Sequence, residues 1–211
     1  MQVESFTVGP FAENSYLLLD GEEALIVDPG FSNQRELEIF LNYLKRSGAR
    51  PIAILLTHAH VDHVLGLSGI LRHYDLPVWL SDRDRWLWKN AEEQAALFGI
   101  QMAGFHADPE PLPEGKGFQL GSFTMDVIDT PGHSPDHVSL YFPDEGVLVS
   151  GDALFRESIG RTDLYKGRSD ELVQSIREKL YPLPDETVVW PGHGPSTTIG
   201  HEKSHNPFVN A

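Results

Sequence analysis

The stretch Thr57-His58-Ala59-His60-Val61-Asp62-His63 follows directly after the apolar run Ile52-Ala53-Ile54-Leu55-Leu56. It places three imidazoles and one carboxylate within six positions, 58–63. Imidazole and carboxylate groups are the ligands that borderline and hard divalent cations take in proteins. An apolar run of this length indicates a buried strand. The sequence therefore predicts a metal site that begins where a buried strand ends.

Three later segments repeat this combination of a short apolar run and a donor side chain. They are Pro131-Gly132-His133, Ser150-Gly151-Asp152 and Pro191-Gly192-His193. Functional residues of α/β proteins commonly lie on loops at strand ends, so we predict that these side chains converge with the first cluster. A single histidine is more often structural than ligating, but the whole pattern favours metal ligands. Spacing alone does not assign a ligand to a particular ion.

The composition narrows the chemistry further. The 211 residues include no cysteine, which excludes disulfides, thiolate catalysis and sulfur-ligated metal clusters. With 16 basic and 31 acidic residues the net charge is −15, which argues against a broad nucleic-acid or anionic-membrane surface. We therefore expect a small-molecule partner, neither nucleic acid nor membrane, and a metal held by nitrogen and oxygen alone.

Length and hydropathy favour one domain over residues 1–211 in a cytoplasmic protein. The chain is long enough for one substantial core. No apolar stretch approaches the roughly 20 residues that cross a bilayer, and the first residues lack a basic region followed by an apolar one.

Apolar periodicity predicts an antiparallel meander, then a β-α-β unit, in the first half. The meander covers residues 6–8, 16–19 and 24–27. A helix capped by Ser32 or Asn33 and ended by Gly48 follows. The β-α-β unit consists of the strand 52–56, a helix over 64–74 and a strand over 78–80.

The second half repeats strands, a helix and a strand. Residues 82–98 are predicted to be helical, and 99–116 form a long connection rich in proline and glycine that could lie over a pocket. Strands are predicted over 118–120, 123–129, 138–142 and 147–149, a helix from Ser169, and a final strand over 187–190. The two halves predict two mixed sheets packed face to face with helices outside, a four-layer αββα sandwich.

The motif resembles that of the metallo-β-lactamase superfamily, whose H-x-H-x-D-H stands here as residues 58–63. The resemblance implies a binuclear centre in which Asp152, together with a water or hydroxide, bridges two metal ions. It implies one ion on His58, His60 and His133, and the other on Asp62, His63 and His193. Asp28-Pro29-Gly30 after a strand first predicts a turn, and the resemblance adds that Asp28 supports the metal loop. His137 is predicted to orient a ligand or to be a structural donor rather than to be a ligand itself.

Two divalent ions can lower the pKa of a bound water to about 7 and polarise a carbonyl. We therefore predict a hydrolase that needs no nucleophilic side chain, in which a metal-bridging hydroxide attacks. Asp62 lies between ligand histidines, so it is predicted to orient the hydroxide and then to carry a proton.

Several segments resemble the glyoxalase II-like hydrolases, in a short bacterial form without the additional C-terminal domain. They are residues 150–155, 160–163 and 191–195, with Glu202 and Asn206-Pro207-Phe208 near the end. The resemblance implies hydrolysis of a small thioester such as S-lactoylglutathione or a related hydroxyacyl thioester. Without that domain, the best predicted substrate contact is Arg161, for which a structural ion pair is the competing interpretation.

Zinc is the default metal, and iron or manganese is compatible with the same ligands. The main alternative is a persulfide dioxygenase with one iron, since such enzymes share a stretch like Gly160-Arg161-Thr162-Asp163. Against it, Asp62, His63 and His193 keep a second metal site intact. A lactonase or β-lactamase would differ only in the acyl bond cleaved, and a non-catalytic metal-binding module would not need so complete a ligand set.

Overall fold

The computed structural model describes residues 1–105 and 107–210. The chain forms two compact units, described separately below. The first unit contains residues 1–112 with 120–123, and the second contains residues 113–119 with those from 124 onward. The prediction of one domain over residues 1–211 stays a prediction.

A six-stranded mixed sheet organises the first unit. Its strands lie in sequence order: β1 (Gln2–Val8), β2 (Glu13–Asp20), β3 (Glu23–Val27), β4 (Arg50–Leu55), β5 (Val78–Leu80) and β6 (Glu110–Pro111). The first three are antiparallel, which confirms the predicted meander, and β3 to β6 are parallel. Ala53, Ile54 and Leu55 of β4 are buried, so the candidate metal loop begins at the carboxyl end of a core strand.

The described residues of the first unit form five helices: α1 (Gln34–Ser47), α2 (Val61–Val64), α3 (Leu67–Leu71), α4 (Trp86–Lys89) and α5 (Ala91–Leu97). The predicted limits of α1 are confirmed. Asn33 caps its first turn by accepting a hydrogen bond from the Glu36 amide, and Gly48 ends it with a φ of +75°.

Two other predicted helices are shorter than expected. The pattern over 64–74 predicted one helix, but the chain forms α2 and α3 with Gly66 between them. An ideal β carbon at Gly66 would lie 2.6 Å from the Phe31 ring, so close packing against Phe31 requires glycine there. The predicted helix over 82–98 begins only at Trp86 and is interrupted at Asn90. Within 99–116, where residue 106 lies outside the described residues, the connection contains β6 and the start of another strand.

A second six-stranded mixed sheet organises the second unit. Its strands are β7 (Gly115–Leu120), β8 (Phe123–Asp129), β9 (Val138–Phe142), β10 (Val147–Gly151), β13 (Val188–Pro191) and β14 (Thr197–Thr198). The order across the sheet is β14-β13-β10-β9-β8-β7, in which β10 and β13 are parallel. A separate ribbon, β11 (Leu154–Phe155) with β12 (Ser158–Ile159), follows β10 directly.

The second unit also contains α6 (Ser169–Ser175), which continues as a π-helical segment over Ile176–Leu180, and α7 (Ile199–His205). The predicted helix from Ser169 is thus confirmed, with one widened turn in which the Tyr181 amide donates to the Ile176 carbonyl. The prediction that 187–190 is the last strand was wrong, because β14 and α7 follow it. In the described part of the chain, no helix has the length and apolar character needed to cross a bilayer.

Candidate metal centre

Within the first unit, the loop after β4 brings three histidines together. His58 and His63 are fully buried, and His60 is 6% exposed. The His58 ring centroid lies 4.9 Å from that of His60 and 4.2 Å from that of His63. Asp62, in the first turn of α2, is partly exposed. The four predicted donors of this unit therefore share one buried loop and the short helix that follows it.

Buried Asp28 holds this loop from the end of β3. Its Oδ1 accepts a hydrogen bond of 2.8 Å from the Thr57 amide, and its Oδ2 accepts one of 2.7 Å from the Thr57 hydroxyl. The same Oδ2 lies 3.0 Å from His63 Nδ1. Asp28 has a φ of +48°, in the left-handed region that aspartate adopts more readily than most residues. Through these contacts Asp28 can support the metal loop, the role predicted for it.

These contacts decide which ring nitrogens can bind a metal. His63 Nδ1 faces a carboxylate oxygen, so it carries the proton and donates. The Thr57 hydroxyl gives its proton to Asp28, so its oxygen accepts from His58 Nδ1, which lies 3.0 Å away. In both neutral rings the unprotonated nitrogen is then Nε2, the form that a metal ligand needs.

Glu13, at the start of β2, is a buried neighbour that the sequence did not reveal. It is 1% exposed, its Oε2 accepts a 2.9 Å hydrogen bond from the Ser15 hydroxyl, and its Oε1 lies 3.9 Å from His63 Nδ1. Burial raises the pKa of the Glu13 carboxyl well above its usual value, and the nearby His63 imidazole opposes that shift. A glutamate at a strand start ordinarily indicates a solvent-facing position, so no sequence signal marked it.

In the second unit, three loops bring together His133, Asp152 and His193. They follow β8, β10 and β13. Asp152 Oδ2 lies 3.4 Å from His133 Nε2 and 3.5 Å from His193 Nε2. One carboxylate oxygen thus lies between two imidazole nitrogens, although the three residues are far apart in sequence.

Backbone groups orient these second-unit donors. His133 Nδ1 lies 2.7 Å from the Arg161 carbonyl oxygen, which can only accept, so His133 is protonated there and its Nε2 faces Asp152. The Asp152 amide donates to His137 Nε2 at 2.9 Å, and His137 Nδ1 lies 2.8 Å from the Thr130 hydroxyl. Both nitrogens of His137 thus have partners, one of them the backbone of Asp152; that it orients a ligand stays a prediction.

The Arg161 side chain forms the ion pair that was the competing interpretation for it. Its Nε and Nη2 donate to the two Asp163 carboxylate oxygens at 2.7 and 2.8 Å, and both side chains are exposed. These hydrogen bonds raise the pKa of Arg161 and lower that of Asp163 to about 2. The sequence did not indicate the second contact of Arg161, in which its carbonyl oxygen accepts a hydrogen bond from His133 Nδ1.

The donor chemistry fits divalent cations. Each unit contributes buried or partly buried imidazole nitrogens together with at least one carboxylate, and neighbouring groups orient the rings of His58, His63 and His133. Sets of this kind suit zinc, iron or manganese.

The sequence model of the Metallo-beta-lactamase superfamily matches residues 8–193 of this chain. The chain therefore belongs to this superfamily, and the resemblance found in the sequence is confirmed.

Two members of the superfamily are similar to this chain over almost their entire length. The chain is 40% identical to the "Probable metallo-hydrolase YqgX" of Bacillus subtilis, over all of this chain and 98% of that protein. It is 36% identical to the "Hydroxyacylglutathione hydrolase GloC" of Haemophilus influenzae, over all of this chain and 99% of that protein. These relationships support a metal-dependent hydrolase.

Two solved structures confirm the predicted fold class, two mixed sheets with helices. The BLEG-1 B3 metallo-beta-lactamase is 41% identical and matches with a TM-score of 0.88 over the whole of both chains. TTHA1623, solved in a di-iron-bound form, is 40% identical with a TM-score of 0.88 over 98% of this chain and all of that one. The family and the His/Asp clusters support binding of divalent metal ions, without deciding which metal.

Proposed function

We propose that the chain is a binuclear metal-dependent hydrolase of a small thioester, with S-lactoylglutathione or a related hydroxyacyl thioester as the substrate. The observation that carries this proposal is the end-to-end identity of 36% with a protein named hydroxyacylglutathione hydrolase. The full set of nitrogen and oxygen donors, without any cysteine, supports it.

In this proposal the metal ligands predicted from the sequence bind two ions. His58, His60 and His133 bind the first ion, Asp62, His63 and His193 bind the second, and Asp152 bridges them. The position of Asp152 Oδ2 between His133 and His193 supports the bridging role. Zinc is the default metal, and the di-iron-bound structure of a 40% identical protein keeps iron a strong candidate.

When bound, the two ions would lower the pKa of a water molecule and polarise the thioester carbonyl. The chain's own residues hold that arrangement. Asp28 accepts the Nδ1 proton of His63, and the Arg161 carbonyl accepts that of His133, so both rings keep one orientation during turnover. We assign the Asp62 carboxylate to orienting the attacking water, to receiving its proton on Oδ and to delivering that proton to the departing sulfur.

Arg161 is the proposed contact for an anionic group of the substrate. Its guanidinium is exposed and pairs with Asp163, which is exposed as well. A substrate carboxylate would replace Asp163 as its partner, since both offer the same pair of acceptor oxygens.

The proposal is tested by measuring hydrolysis of S-lactoylglutathione by protein loaded separately with zinc, iron or manganese. We expect turnover with at least one metal at two ions per chain. His60→Ala, which removes a ligand of the first ion, should abolish it. Asp62→Asn that kept full turnover with full metal content would remove Asp62 from the mechanism. Protein that holds two ions and leaves the thioester intact would overturn the substrate assignment.

A second candidate is hydrolysis of β-lactams, favoured by the 41% identity with the BLEG-1 B3 metallo-beta-lactamase. The same metal-loaded protein should be assayed with a chromogenic β-lactam, and the larger kcat/KM identifies the acyl group. One iron per chain, with oxygen consumed on a persulfide substrate, would instead establish the dioxygenase alternative.

A further inference from the structure

Helix α7 contacts the turn of the β11–β12 ribbon through polar groups. The Glu202 carboxylate accepts a 2.9 Å hydrogen bond from the Glu157 amide at the turn. Asn206 Nδ2 donates at 3.0 Å to the carbonyl of Ser158, the first residue of β12. On the surface, His201 Nε2 lies 3.0 Å from Glu157 Oε1. The helix therefore holds the ribbon at the end remote from β10.

Glu202 is the centre of these contacts. It is fully buried, and its Oε1 accepts a 2.6 Å hydrogen bond from the Thr197 hydroxyl. Its Oε2 accepts from Asn206 Nδ2 at 2.9 Å as well as from the Glu157 amide. Three donors thus converge on one buried carboxylate, and one of them belongs to the ribbon. The Glu157 backbone there has a φ of +54°, a conformation that is uncommon for glutamate and that surrounding contacts must hold.

The other end of the ribbon contacts two of the proposed metal ligands. Asp152 lies two residues before the ribbon in sequence, and Arg161, whose carbonyl accepts the hydrogen bond of His133 Nδ1, lies two residues after it. Between them, an ideal β carbon at Gly160 would overlap the Asp152 carbonyl oxygen and lie 3.1 Å from His133 Nδ1. A shift of the ribbon would therefore change the position of both ligands, because no space separates them.

We propose that Glu202 is a positioning residue for the metal centre: it holds the β11–β12 ribbon, which in turn holds Asp152 and the ring of His133. The inference rests on the metal binding in the proposed function, but not on its substrate. It assigns a task to α7, which the sequence did not predict and which contributes none of the proposed ligands.

The test measures zinc affinity by competition with a chromophoric chelator, together with the visible spectrum of the cobalt-substituted protein and the melting temperature. Glu202→Ala removes the common acceptor. Glu202→Gln retains one oxygen for the Glu157 amide and Asn206, while its amide group can donate to the Thr197 hydroxyl, which can accept as well as donate. Asn206→Ala is a milder variant that removes the donor to Ser158. Ile199→Ala is the matched control, because Ile199 lies on the same helix and is fully buried in the core of this unit.

We expect Glu202→Ala to weaken zinc binding by about 10- to 100-fold, the range seen when groups that orient metal ligands are removed. Its cobalt spectrum should change, and Asn206→Ala should show a smaller loss of the same kind. Glu202→Gln should recover most of the affinity. Ile199→Ala should lower the melting temperature but leave zinc affinity within about twofold of the wild type, because it removes none of the polar contacts to the ribbon turn.

Equal zinc affinities in Glu202→Ala and Ile199→Ala would overturn the inference, as would a wild-type cobalt spectrum in Glu202→Ala. If Glu202→Ala does not fold, unchanged zinc affinity in Asn206→Ala would overturn it. Failure of the proposed function looks different: wild-type protein would bind zinc normally, with these differences among variants, and still not hydrolyse the thioester.

Discussion

The candidate donors of the two units are built in different ways. Those of the first unit are contiguous, from His58 to His63, and one buried carboxylate, Asp28, holds the loop by contacts to Thr57 and His63. Those of the second unit come from three loops; a backbone carbonyl contacts the ring of His133, and His137 contacts the backbone of Asp152. A contiguous set can depend on one side chain, whereas a dispersed set depends on the positions of several elements.

The largest effect should come from removing Asp28, the buried carboxylate that contacts both Thr57 and His63. Asp28→Ala leaves the Thr57 amide, the Thr57 hydroxyl and His63 Nδ1 without their common acceptor. Each buried donor left without an acceptor costs about 1 to 3 kcal/mol, so we expect a loss on the order of 3 kcal/mol or more in the free energy of unfolding. Urea unfolding of the metal-free protein measures it.

Asp28→Asn is the matched variant, because asparagine tolerates the φ of +48° and keeps one acceptor oxygen. It should lose less stability than Asp28→Ala. An alanine variant within about 0.5 kcal/mol of the wild type, the usual range for surface changes, would show that the loop does not depend on Asp28.

The next effect tests how the second unit depends on packing between elements. Gly132, beside His133, has a φ of +129°, and an ideal β carbon there would lie 2.6 Å from Leu172 Cβ at the start of α6. We expect Gly132→Ala to cost roughly 3 kcal/mol, from backbone strain and overpacking together. Thermal and urea unfolding measure the loss.

Gly146→Ala is its control in the same unit. Gly146 has a φ of +61°, and nothing lies within 4 Å of an ideal β carbon there. Only the backbone penalty remains, about 1 kcal/mol. Equal losses in the two variants would mean that α6 does not constrain the His133 loop.

The stability of the protein should depend on pH through Glu13 of the first unit. Its raised pKa means that the folded protein binds a proton that the unfolded chain has released, so stability falls as pH rises above the usual glutamate value of about 4.5. Glu13→Gln cannot ionise. In metal-free protein, its melting temperature should fall less than that of the wild type between pH 5 and about 8. Parallel curves for the two proteins would contradict this account.

The smallest effect is expected at the exposed pair of Arg161 and Asp163. The lowered pKa of Asp163 means that the pair is formed above the usual aspartate value of about 3.8 and is lost as pH falls towards 2. Exposed pairs contribute little, so Asp163→Asn should leave the melting temperature within about 1 °C at neutral pH. If Arg161 binds an anionic substrate group, the variant should lower KM with little change in kcat. An unchanged KM would argue against that contact.

Sequence reasoning recovered most of the regular structure where local signals were strong. The cap at Asn33, the stop at Gly48 and the alternating strands of the meander depend on neighbouring residues, so they could be read locally. The interruption at Gly66 could not, because it results from packing against Phe31, 35 positions earlier. The strand β14 and helix α7 were missed because the pattern after residue 191 is short and polar.

By itself, the sequence determined the superfamily, the metal-binding character and the donor types, because six adjacent positions and three strand-end loops carry them. Only the tertiary structure showed that Glu13 lies beside His63, that the Arg161 carbonyl faces His133, and that Asp152 lies between His133 and His193. The physical reason is that a ligand's residue type is a local property, whereas its orientation depends on hydrogen bonds from residues distant in sequence. A carbonyl oxygen, moreover, is present in every residue, so no sequence pattern marks the one that orients a ring.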